Sequence, residues 1–68
     1  MHVALIRVVD GEFVDEMSRM RTWLDSRRVE PAVFRHDRVD GAVVIRVEFS
    51  GETEAAAFAE EFRGQFLR

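Results

Sequence analysis

The sequence predicts a small α+β domain, a two-layer βαββα sandwich. Its three-stranded antiparallel sheet runs in the order 1-3-2 and carries two helices on one face. Three observations point there. A β-branched apolar run opens the chain, an Asp-Gly pair joins two alternating segments, and two stretches place apolar residues at helical spacing. With 68 residues the chain makes one domain, 1–68, and its core is thin.

His2 to Val9 reads as the first strand, ending at Asp10-Gly11. Asp10 suits the N-cap of a helix, with Glu12 favourable in the first turn. Phe13, Met17, Met20 and Leu24 then recur along one helical stripe, and Trp23 stands beside it, sealing the helix edge. Arg27 and Arg28 complement the C-terminal dipole, and Pro31 forbids continuation.

Pro31 to Arg38 and Ala42 to Phe49 form a hairpin around Asp40-Gly41, a residue pair that favours the tight turn between twisted strands. A loop of this length sets Val39 against Ala42, His36 against Ile45, Phe34 against Val47 and Ala32 against Phe49. The last six, from His36 to Phe49, share one face. Val33, Arg35, Asp37, Val44, Arg46 and Glu48 share the other. Ser50-Gly51 opens a second helix whose stripe is Ala55, Phe58, Ala59, Phe62 and Phe66, with Gly64 as its stop. The expected core is Phe34, Ile45, Val47, Phe49, Met20, Leu24, Phe58 and Phe62.

This order resembles the ferredoxin-like βαββαβ architecture over almost the whole chain, without the last strand, because the two residues after Phe66 are too few to make one. The resemblance is architectural. Members that bind heavy metals carry Cys-x-x-Cys after strand one, where this chain has Val9-Asp10-Gly11-Glu12. RNA-recognition members expose aromatics on the sheet, and the open face here has none. Acylphosphatase-like members pair an arginine with an asparagine, and this chain has no asparagine.

Composition narrows the function classes further. The chain is 47% hydrophobic and 34% charged, as folded domains are, and its net charge of −3 weighs against nucleic acid as a partner. All ten cationic residues are arginine, a bias that fits a GC-rich, bacterial genome. Cysteine is absent, and His2 and His36 have no ligand-spaced neighbour, so no metal and no cofactor is expected. No run suits a signal peptide or a membrane span, which makes a cytoplasmic location the expectation. No nucleophile–base pair stands out, and a non-enzymatic interaction module is expected.

Two surfaces follow from this arrangement. In the order 1-3-2, strand one is an edge, with Val3, Leu5, Ile6, Arg7 and Val8 apolar on both faces but for one charge. A partner strand is expected there, either the same strand of a second copy, giving a homodimer, or one added by another protein. The alternative is an anion- or nucleic-acid-binding module using Arg7, Arg35 and Arg46 on the open face, where Arg35 lies directly opposite Arg46.

Overall fold

A computed structural model describes residues 1–67. Strand β1 spans His2–Val9, and a short 3-10 turn over Asp10–Glu12 leads into α1, Phe13–Arg27. Strands β2 (Val33–Val39) and β3 (Ala42–Phe49) follow, then α2 (Glu52–Glu61) and β4 (Gln65–Leu67). The four strands form one antiparallel sheet in the order β2-β3-β1-β4. Among the described residues, no helix is long and apolar enough to cross a membrane.

The fourth strand corrects the three-stranded expectation. The chain after α2 runs antiparallel to β1, pairing Leu67 with Val3, Phe66 with Ala4 and Gln65 with Leu5. Phe66 therefore belongs to a strand and not to the α2 stripe. Strand β1 is an inner strand, flanked by β3 and β4, and the edges are β2 and β4. The partner strand expected along Val3 and Leu5 is supplied by the chain itself. Ile6 and Val8 point into the core, at 1% and 6% exposure.

The local cause lies in residues 59–64. The Gly64 amide donates to the Ala59 carbonyl (2.7 Å) and the Arg63 amide to Glu60 (3.3 Å), while Arg63 takes a left-handed φ of 55°. These bonds satisfy the last helix carbonyls and reverse the chain. Gly64 is needed for another reason. A Cβ there would overlap the Leu5 carbonyl oxygen and the Ile6 side chain, so glycine alone lets the turn lie against β1. The same turn ends α1, with Val29 donating to Leu24 (3.0 Å), Arg28 to Asp25 (3.1 Å), and Arg28 at φ 55°.

The hairpin forms as its residues predict. Asp40 and Gly41 both have positive φ, 51° and 78°, and the register pairs Val39 with Ala42, His36 with Ile45 and Phe34 with Val47. Only its far end differs. Strand β2 begins at Val33, and Ala32 contributes a single amide bond to the Glu48 carbonyl (2.8 Å).

Ala4, Ile6 and Val8 of β1 and Val43, Ile45, Val47 and Phe49 of β3 face both helices, which contribute Met20, Trp23, Leu24, Ala55, Phe58, Ala59 and Phe62. Trp23 is inside this cluster, edge-on to Phe58 at 80° and 5.4 Å. Phe34 is only partly buried, because it sits on the outermost strand. Asp10 is not a side-chain cap. The 3-10 turn places its carboxylate to accept from Arg38 (2.7 Å), closing one end of the sheet across β1 and β2.

Candidate interaction surface

The helices cover one face of the sheet, and among the described residues nothing forms a second layer on the other. Strand alternation and the register place the uncovered side chains in four rows across the sheet. The first is Leu67, Val3, Glu48 and Val33, and the second Gln65, Leu5, Arg46 and Arg35. Where β4 has ended, the third is Arg7, Val44 and Asp37, and the fourth Val9, Ala42 and Val39. The two end rows are apolar but for Glu48, and the charges lie in the middle.

Val3 and Ala42 are already 9% and 4% exposed, shielded by neighbours on the same face. Val9, Val39 and Leu67 stay open to solvent at 57%, 43% and 37%. Arg7, Arg35 and Arg46 do share this face, as the register implies. Arg35 stands directly across from Arg46, an arrangement of like charges that is unfavourable alone. Arg46 is held by Glu48, its Nε donating at 3.0 Å. Among the described residues neither Arg7 nor Arg35 has an ion pair.

The residues grouped as a β1 edge divide between two environments. Val3, Leu5 and Arg7 join the open face, and Ile6 and Val8 the core. The sequence reading missed the apolar end rows. Alternation along β1 and the hairpin holds the signal, since Val3, Leu5 and Val9 must share a face with Val33 and Val39 once register is known. Leu67 needed β4.

Two grooves flank the helices. One of about 410 Å³ lies between α1 and α2, lined by Ser18, Arg19, Thr22, Trp23, Glu61 and Phe62. Arg19 stacks over Phe62 (5.4 Å) and Arg27 over Trp23 (4.4 Å), so both guanidiniums cover aromatic surface here. The second, about 860 Å³, runs between α1 and β2 over Met17, Leu24, Val29, Pro31 and Phe34. His36 is exposed farther along β2, its ring 5.0 Å from Phe13. Among the described residues, no three His, Asp or Glu side chains gather in a way that could hold a metal ion. No protein-family model, curated protein or solved structure matches this chain.

Proposed function

We propose that this protein is a non-enzymatic interaction module that docks a protein through the open face of its sheet. The observation that carries this reading is the pair of apolar end rows on a face with no second layer. A sheet normally buries its apolar side chains against another element, and here Val9, Val39 and Leu67 remain in water. The accessible surface of 4830 Å² points the same way, since a compact monomer of 7.9 kDa exposes about 4,400 Å². Because β4 occupies the β1 edge, the sheet face, and not that strand edge, is the docking route.

A photo-crosslinking side chain at Val44, at the centre of the face, tests this in the cells that make the protein. Val14, exposed on α1 at 74%, is the control position. A protein captured from position 44 and not from 14, which then binds the purified domain, is the expected result. Equal capture from both positions, or none from 44, would overturn the reading.

A second reading rests on Arg7 and Arg35, two guanidiniums without ion pairs among the described residues, beside Arg46, which together suit an anionic ligand. Titration with RNA, DNA and acidic peptides at low salt addresses it. Binding that weakens steeply with salt, and is lost in Arg35→Glu, would favour an anion site over an apolar docking face.

A further inference from the structure

The pattern on the open face is self-complementary under one two-fold operation, and we propose that a second copy of this chain is the protein that docks there. This inference rests on the open face being a docking surface and names its occupant. Consider two copies face to face, related by a two-fold axis that lies between the sheets and crosses the strands at right angles, between the second and third rows. Strands β1, β2 and β3 then lie over their own counterparts, the order of rows is inverted, and β4, present only in the first two rows, stays outside the overlap.

Under that operation the second row meets the third. Arg35 comes over Asp37 of the partner subunit, and by symmetry Asp37 comes over the partner's Arg35. Arg35 thus gains a carboxylate, twice per dimer, in a setting drier than either monomer offers. The first row meets the fourth, so Val3 lies over the partner's Val9 and Val33 over the partner's Val39. Arg46 keeps its own Glu48. Arg7 comes over the partner's Leu5, beside the gap where β4 has ended, and its long side chain carries the charge toward that edge.

The alternative axis, parallel to the strands, keeps the rows and exchanges the columns. It sets Arg35 over Gln65 and Arg46 over Leu5, and Asp37 over nothing. Both operations set Arg7 and Arg46 over apolar residues and lay apolar end rows over apolar end rows, but only the first joins opposite charges, at Arg35 and Asp37. Aligned sheets pack with a relative rotation of about 30°, and the offset this gives Arg35 and Asp37 on the outer strand β2 is one that the long arginine side chain can span.

The size of the face sets the expected strength. Three strands about 4.8 Å apart and about 27 Å long give about 390 Å² of projected face per copy. Side-chain relief brings the area buried by two copies to about 1,000 Å², the lower bound for a specific interface. A reversible dimer is the consequence, with association visible in a concentration series up to millimolar.

Sedimentation velocity on wild type, Arg35→Glu, Asp37→Arg and an equimolar mixture of the two variants tests the geometry. Each variant should fold, because both positions are exposed and Arg35→Glu replaces like charges across from Arg46 with opposite ones. Circular dichroism checks this. If either variant unfolds, Val39→Asp, at the opposite end of the face, takes its place. Wild type should dimerise, and each variant alone should be monomeric, since like charges then face each other across the axis. The mixture should dimerise again. In it the glutamate introduced at position 35 of one copy faces the arginine introduced at position 37 of the other, and the unaltered Asp37 faces the unaltered Arg35. With the substitute, loss of dimer in Val39→Asp is the expected result.

Wild type that stays monomeric at millimolar concentration overturns self-association. Capture of a different protein from position 44 would leave the docking reading standing in that event. A wild-type dimer that survives the single substitutions overturns the two-fold geometry. A mixture that stays monomeric does the same.

Discussion

The two helices of this domain are unequal in a way that runs against their lengths. Helix α1 has 15 residues and buries Met20, Trp23 and Leu24; α2 has ten and buries Ala55, Phe58 and Ala59, with Phe62 buried at its C-cap. The difference is in the side chains at the contact. Alanines 55 and 59 let α2 sit close over β1 and β3, so Phe58 reaches full burial between Phe49 and Phe62. Helix α1 presents methionines and a tryptophan, and the strand on its side is the edge strand β2. The core face of β2 is partly buried at Phe34 and exposed at His36 and Arg38. The lesson is that helix length contributes little where the strand beneath is an edge. Stability here is concentrated in the α2 half, and the α1 half holds the open groove.

That contrast can be broken first at Phe58. Phe58→Ala should cost about 3–5 kcal/mol, as removal of a fully buried aromatic does. A chain of this size has about that much in total, so the variant should lose its cooperative thermal transition. Met17→Ala on α1 should cost only about 1 kcal/mol, because Met17 is half-buried beside the groove. Urea midpoints measured on both would read the contrast directly. Equal losses would mean that the two halves share one evenly packed core.

Gly64→Ala comes next. The new methyl would meet the Leu5 carbonyl and the Ile6 side chain, and overpacking of this kind costs about 1–3 kcal/mol. The loss should appear locally, as fast amide exchange along Gln65–Leu67 and the facing side of Val3–Leu5. Protection unchanged there would show that the turn after α2 has room to move outward.

The smallest effects belong to the two helix ends, which share one turn geometry. Arg28 and Arg63 both hold φ 55°, a conformation that costs a side-chain-bearing residue about 1 kcal/mol relative to glycine. Arg63→Gly should raise stability by about 0.5–1 kcal/mol, and Arg28→Gly by less, since Arg28 follows the helix that contributes less. Thermal unfolding of the two variants sharpens the comparison between the halves. A decrease at both would mean that the arginine stems contribute packing that exceeds the backbone strain.

Much of the fold was legible because local chemistry and register reinforce each other. The Asp40-Gly41 turn fixes which residues of β2 and β3 face each other, so the shared face of Arg35, Arg46, Val33 and Val44 could be read from the residues alone. The stripe of α2 was readable for the same reason, four apolar positions at helical spacing. The candidate surface was legible only in its charged centre. Its apolar ends depend on which strands lie side by side, and periodicity within a strand does not carry that information.

The sequence by itself determined the hairpin register, the two helices, the lone first strand and the placement of three arginines on one side. Only the tertiary structure decided that residues 65–67 are a strand. Three residues have no local preference strong enough to form one. They become a strand because the turn at Arg63-Gly64 delivers them to the free edge of β1, where backbone groups await partners and Phe66 can join the core. That single placement turns β1 from an edge into an interior strand. It moves the exposed apolar surface from a strand edge to the open face of the sheet.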